Sequence, residues 1–487
     1  MATTAVSTRN DGDAAATSVS CTGEIARRRL RVFFLPSFAR GHLIPQTDLA
    51  CLMAAARPGE VEATMVVSPA NASVIAPTGG VRRGRRARRG ACSARHTSRC
   101  SVSTAPDAIV ADVPFWWATE VAAELGVPRL TFHPVGVFPQ LAMNNLFKMR
   151  SEIIRVSSVA GAEVSVPDLP GKEITIPVSE LPSFLVQDDH LSKSWDQIKS
   201  CQLAGFGVIV NTFVDLEQPY CEEFRRVDAR RAYFVGPLAQ PSCSTVNRGG
   251  EGDVECLSWL STKPSRSVVY VCFGSWAHFS VTQSRELALG LEASNHPFLW
   301  VVRSDDGSSS QWGAGGVGAA RRRAWHGRPR VGPQVAVLAH PSVGAFVTHC
   351  GWNSVLEAAS AGVPVLTWPL VFEQFINERL VTTGGVAAFG ARVWAGGTRG
   401  ERVAEAEATV PAEAIARAVA RFMDGGAERQ RMQARAGELA ELARAAVGEN
   451  GSSWRDIHRL IDDLVQARTS SSSPQNQEES PVGMNRA

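Results

Sequence analysis

The side chains best placed to do chemistry stand in one ordered run, residues 332–374, GPQVAVLAHPSVGAFVTHCGWNSVLEAASAGVPVLTWPLVFEQ. The apolar segment ending at Thr348 reads as a buried strand, with His349, Cys350, Gly351 and Trp352 as the tight turn after it. Asn353 and Ser354 then open a helix that ends at Gly362. The free N–H groups and positive dipole end of a helix N-terminus suit a diphosphate, and His349, Asn353 and Ser354 can add side-chain donors there. Glu357 lies one turn further along the same face, placed to bond the vicinal hydroxyls of a ribose. Glu373 and Gln374 follow the next strand, at the same carboxyl edge, where they could bind sugar hydroxyls. A helix cap followed by a core strand is the alternative reading of these residues.

HCGWNS, the Leu-Glu after it and the closing Glu-Gln resemble the nucleotide-sugar signature of plant secondary-product glycosyltransferases, which adopt a fold of two facing Rossmann-like domains. The resemblance implies that His349 and Ser354 hold the diphosphate of a UDP-sugar, with Asn353 beside them. It also implies that Gln334 faces the nucleoside, Glu357 the ribose and Trp352 the sugar, while Glu373 and Gln374 hold glucose hydroxyls. In this family a Gln at the last position goes with glucose and a His with galactose. Glu373 stands where many members carry Asp. Gly274 and Ser275, after the run SVVYVCF, resemble the family's second loop near the phosphates.

FLPSFARGHLIP resembles the family's first strand and loop, which makes His42 the catalytic base. An imidazole that titrates near neutrality can take the proton of an acceptor hydroxyl as its oxygen attacks the anomeric carbon. Attack opposite to the departing UDP inverts that carbon. Asp112, in IVADVPFWWATE, matches the acidic partner that orients the imidazole, as a carboxylate does in a Ser-His-Asp triad. Segments 208–217, 234–238, 255–275 and 286–303 extend the resemblance over most of residues 30–465. Phe115, Trp116, Phe132, Phe138 and Phe184 are candidates for gripping the acceptor, and each reads equally well as core. The implied activity moves glucose from UDP-glucose to a hydroxyl of a small lipophilic acceptor that is flavonoid, phenolic, terpenoid or hormone-like. No metal or other cofactor, no nucleic-acid partner and a monomer are expected.

These residues need strand ends to stand on. Short apolar runs alternate with helical patterns, the mark of βαβ units and a parallel sheet. Strands are expected at 31–36, 108–113, 206–210, 267–273, 298–302, 345–348 and 363–368, with a turn at 40–42 and a helix from about Pro45. Residues 240–253, polar and rich in Gly and Ser, read as a linker. The expected architecture is α/β, two facing Rossmann-like doubly wound domains of GT-B type with the active site in the cleft between them. Residues 1–28 are expected to be a disordered extension, 29–239 an acceptor-binding domain, 254–468 a UDP-sugar-binding domain and 469–487 a disordered tail. Ligands of such sheets bind beyond the carboxyl ends of the strands, where strand order switches.

Composition narrows the function classes. At 487 residues, 44% hydrophobic and 20% charged, the chain is an ordinary globular protein long enough for two domains. A net charge of +3 implies no acidic partner. Its ten cysteines are scattered without a CxxC pair or a His cluster at metal-ligand spacing, which fits reduced thiols in a cytoplasm. Residues 1–28 lack the apolar core of a secretory signal, and no stretch approaches the roughly 18 apolar residues of a membrane span. Two runs depart from the family: 79–100, with eight arginines and no acid, and 313–331, rich in Gly, Ala and Arg. A basic run can bind nucleic acid, but this one lacks interleaved aromatics and any nucleic-acid fold signature. The second run puts Val331 where the family has the Trp that stacks on uracil. Both runs also fit a catalytically impaired member, or a product of mis-joined exons, without turnover.

Overall fold

Runs such as Val268–Cys272 and Val343–Thr348 are buried along almost their whole length, so they can sit only in parallel sheets covered on both faces. The computed structural model describes residues 4–8, 29–75, 81–83, 105–229, 231–239, 251–274, 279–301, 324–327, 334–382, 387–393 and 409–471.

The first sheet contains β1 (Thr4–Thr8), β2 (Leu30–Leu35), β3 (Val61–Val67), β4 (Val81–Arg83), β5 (Ala108–Asp112) and β6 (Arg129–His133). A separate antiparallel pair, β7 (Glu163–Ser165) and β8 (Thr175–Pro177), precedes its last strands, β9 (Gly207–Val210) and β10 (Ala232–Phe234). Its order is β10-β9-β6-β5-β2-β3-β1-β4, parallel except for β1, which runs antiparallel to both neighbours. The chain moves one way from β2 to β3 and the other way from β5 to β6, β9 and β10. The switch point therefore lies between β2 and β5.

The second sheet comprises β11 (Val268–Cys272), β12 (Phe298–Val301), β13 (Ala324–Gly327), β14 (Val343–Thr348), β15 (Val365–Thr367) and β16 (Gly390–Arg392). Its order, β13-β12-β11-β14-β15-β16, is parallel throughout and switches between β11 and β14. The expected strands are all present within a residue or two of their expected ends. The α/β class of two doubly wound sheets is the observed one, and the carboxyl edges of the two sheets meet.

Several expectations change. Residues 1–28, expected to be disordered, include strand β1, which joins the first sheet. The two runs foreign to the family also contain strands: β4 pairs with β1, and β13 forms the edge of the second sheet beside β12. The helix Glu251–Ser261 starts inside the expected linker, and the last helix, Ser452–Ser471, continues past the expected start of the tail. That last helix returns to the first sheet. Its Ile457, Leu460, Ile461 and Leu464 share a core with Leu30, Val32 and Phe34. The Tyr233 hydroxyl donates to Asp463 at 2.6 Å, and the Phe234 N–H donates to Asp456 at 2.7 Å. Among the described residues, no helix is long and apolar enough to cross a membrane.

Candidate active site

Each switch point carries one half of the site. In the first sheet β2 and β5 are neighbours in register, Leu35 opposite Ala111, so the chain beyond β2 and the last residue of β5 emerge side by side. The helix Arg40–Ala56 begins there, and the turn expected at 40–42 is its first turn, with the His42 and Leu43 N–H groups both on the Ala39 carbonyl at 2.9 Å. His42 Nδ1 lies 3.0 Å from each oxygen of Asp112. Asp112 is fully buried and also accepts from the Ser37 N–H at 2.9 Å and the Val113 N–H at 2.8 Å. A carboxylate only accepts, so Nδ1 carries the hydrogen and Nε2 keeps the lone pair. The imidazole is 32% exposed on its other side. Burial works against its charged form, but the Asp112 carboxylate and, more weakly, Glu373 outweigh that and raise its pKa. Glu373, which follows a strand of the other sheet, is thus near enough for its charge to be felt at His42.

In the second sheet Cys272 of β11 and Thr367 of β15 both pair with Thr348 at the end of β14. The segments after all three strands consequently leave at one edge. Cys350 adopts a left-handed φ of 62°, and its carbonyl accepts from Asn377 Nδ2 at 2.9 Å, which fixes the turn. Two glycines crowd the Nε2 end of the His349 ring. A Cβ at Gly274 or Gly351 would come within 2.7 or 2.5 Å of its Nε2. Burial pushes the His349 pKa down to about 4, with a backbone hydrogen bond at Cys272 opposing the fall, so the ring is neutral at pH 7. Its Nδ1 is buried with no hydrogen-bond partner. The helix Trp352–Ala361 follows, with no side-chain cap on its N-terminal N–H groups and a left-handed Gly362 closing its other end.

The remaining expected residues divide. Gln334 opens the short helix Gln334–Leu338, and its Nε2 donates to Ser354 Oγ at 3.0 Å and to Glu357 at 2.6 Å. The Tyr270 hydroxyl donates to its Oε1 at 3.3 Å, so Gln334, Ser354 and Glu357 form one polar cluster against the first turns of the Trp352–Ala361 helix. Gln374 is 6% exposed, and its Oε1 accepts from the Leu370 and Val371 N–H groups at 2.9 and 3.0 Å, holding the loop that carries Glu373. The side chain of Trp352 points away from the Gln334–Glu357 cluster. It is buried against the first domain, where its Nε1 donates to the Asn211 carbonyl at 2.7 Å and a Cβ on Gly136 would collide with its ring at 2.4 Å. Asn353 also crosses over, donating to the Gly41 carbonyl at 2.8 Å and accepting from Asn211 Nδ2 at 3.2 Å. Ser275 and Val331 lie outside the described residues.

Of the aromatic candidates, Phe132, Phe138 and Phe184 are fully buried core. Phe115 and Trp116 are only partly buried. Phe38, not singled out in the sequence, is 64% exposed and meets Phe115 edge-on at 6.4 Å, four residues before His42. Asn211, Asn377 and Gly136 were likewise missed. The available signal for Asn211 was a polar residue directly after the fully apolar β9, hence at a carboxyl edge. Among the described residues no three His, Cys, Asp or Glu side chains are grouped to hold a metal ion.

An imidazole held by a buried carboxylate thus stands opposite an uncapped helix N-terminus, a neutral buried imidazole and a carboxylate-bearing loop. Such a cleft can accept a proton on one side and hold an anion and hydroxyls on the other. Residues 250–394 match the family described as UDP-glucoronosyl and UDP-glucosyl transferase. The chain is 36% identical over 482 residues to UDP-glucose flavonoid 3-O-glucosyltransferase 7 of Fragaria ananassa, covering 90% of this chain and 96% of that protein. It is 33% identical over 488 residues to scopoletin glucosyltransferase of Nicotiana tabacum, covering 90% and 98%. Its fold is similar to that of Glycyrrhiza uralensis UGT73P12 complexed with glycyrrhetinic acid 3-O-monoglucuronide, with a TM-score of 0.74, 28% identity and coverage of 91% and 97%. With that similarity over nearly the full length of a relative, the chain belongs to the plant UDP-glycosyltransferases, enzymes of the GT-B fold.

Proposed function

We propose that this chain transfers glucose from UDP-glucose to a hydroxyl of a small lipophilic acceptor, with inversion at the anomeric carbon. The observation that carries the proposal is the His42–Asp112 pair, in which Asp112 takes Nδ1 and leaves Nε2 as the basic nitrogen. In this reading Nε2 takes the acceptor proton, and Asp112 holds the imidazole in the needed tautomer and stabilises the imidazolium that forms. The N-terminus of the Trp352–Ala361 helix, His349 and Ser354 receive the diphosphate that departs with the electron pair of the glycosidic bond. Glu357 and Gln334 receive the nucleoside, and Glu373 with Gln374 the glucose. Trp352 can serve the sugar only through its backbone, because its ring is spent on the contact between the sheets. Ser275 joins these residues at the phosphates in this reading.

Relatives that act on a flavonoid and on scopoletin support an aromatic hydroxyl as acceptor. The exposed Phe38 ring, four residues before His42, supports the same reading. The enzyme works without a metal and as a monomer in this proposal, in a cytoplasm that keeps its free cysteines, such as Cys221 and Cys350, reduced. An impaired relative without turnover is not favoured, since the base, its partner and the donor turn are all assembled.

Calorimetric titration of the folded protein with UDP and then UDP-glucose, followed by an acceptor screen, tests the proposal. Binding of both ligands and release of UDP in step with glucoside formation are expected. A folded sample that binds neither would overturn it.

A further inference from the structure

Pro45 sits inside the helix that carries His42. A residue four positions after Gly41 would ordinarily donate its N–H to the Gly41 carbonyl, but proline has none. The carbonyl next to the base is therefore left without its helical partner. Asn353, from the first turn of the opposite donor helix, donates Nδ2 to it at 2.8 Å. The orientation of this amide is dictated from both ends. The Leu238 N–H can only donate, so the Asn211 atom it meets at 3.1 Å is Oδ1. Asn211 Nδ2 must then donate to Asn353 Oδ1, at 3.2 Å. That leaves Asn353 Nδ2 for Gly41, whose carbonyl can only accept. Leu238, Asn211, Asn353 and Gly41 thus form a one-way chain of donors across the gap between the sheets.

We infer that Asn353 is a positioning residue that sets the height of His42 against the bound donor, by holding the Gly41 carbonyl that Pro45 leaves free. The inference rests on the function proposed above and differs from the part the resemblance implies for Asn353, a place beside the diphosphate. Its consequence is that the donor helix and the base cannot shift independently. A displacement of about 1 Å between reacting groups can cost on the order of 100-fold in rate.

The test compares the parent, Asn353→Ala, Pro45→Ala and the double variant for UDP affinity by calorimetry and for kcat and KM with UDP-glucose. Asn353→Ala is expected to lower kcat by about 10- to 100-fold with UDP affinity changed less than about threefold. Adding Pro45→Ala supplies an N–H to Gly41 from its own helix and should return part of that kcat. A large loss of UDP affinity in Asn353→Ala would assign the side chain to the diphosphate and overturn the inference. An unchanged kcat, or a loss that Pro45→Ala does not relieve, would overturn it too. Asn211→Asp, buried and away from the donor, offers two acceptors to Asn353 and flips its amide. It should reproduce the fall in kcat if it folds. A parent that shows no transfer at all would refute the proposed function, whereas an active parent with indifferent variants would refute only this link.

Discussion

His42 shows how one side chain obtains its chemistry from its neighbours. Partial burial would lower its pKa, and two carboxylates on different sheets reverse the sign. A general base works only when unprotonated, so kcat/KM should climb with pH through a value above the ordinary imidazole value of about 6.5. Asp112→Asn removes the charge that raises this pKa, so the acidic limb should move to lower pH while the plateau falls. A limb that stays in place would assign it to another group. His42→Ala should cost roughly 100- to 10,000-fold in kcat with UDP binding intact, as expected for loss of a general base. His349 is the opposite case, a buried ring held neutral near pH 7. A neutral donor contributes about 1 kcal/mol, so His349→Asn should weaken UDP binding by roughly fivefold at pH 7, as read by calorimetry. A loss beyond about 100-fold would mean that the ring meets the diphosphate as a cation.

Elements matter here through where they end. The turn from His349 to Trp352 takes its shape because β11, β14 and β15 finish level with one another, and because Gly274 and Gly351 let their backbones approach the His349 ring. Gly351→Ala places a methyl 2.5 Å from Nε2, at a backbone conformation that alanine itself tolerates. The predicted result is a folded protein, by circular dichroism and a single thermal transition, whose UDP affinity falls at least tenfold while His42 and Asp112 are untouched. Unaltered affinity would show that the His349 ring has room to move. The loop before the helix Gln374–Val381 follows the same logic: Gln374 spends its oxygen on Leu370 and Val371, so its amide shapes the loop that presents Glu373.

Across the whole molecule, the two sheets are joined by residues outside the motif as well as within it. Trp352 reaches Asn211 and Gly136, the last helix returns to the first sheet, and Arg379 bonds Glu180 and Glu378. Burial pushes the Glu378 carboxyl up to about 7 despite Arg392 at 2.6 Å. Removing one partner of a buried ion cluster leaves uncompensated charge, at about 3 kcal/mol where a second cation remains. Arg379→Ala should lower the unfolding free energy by that amount in urea titrations, and a change under about 1 kcal/mol would mean that Arg392 carries the cluster alone.

The sequence by itself determined what local pattern can encode. Apolar runs followed by polar turn residues located the strands and their carboxyl ends, and the spacing from His349 to Gln374 identified the donor turn. His42 and Asp112, 70 residues apart, were paired by resemblance, and the adjacency of β2 and β5 accounts for that pairing physically. What it could not determine were side chains that serve a distant partner. Trp352 and Asn353 sit in the motif, yet their side chains belong to the gap between the sheets, because Asn211, Gly136 and the Pro45-freed carbonyl are brought there only by folding. The aromatics divided for the same reason: Phe132 and Phe138 differ from Phe38 not in type but in which side of a sheet edge they occupy. Periodicity reports the face a residue presents to its own element. Which surface that face then meets was decided by tertiary packing alone.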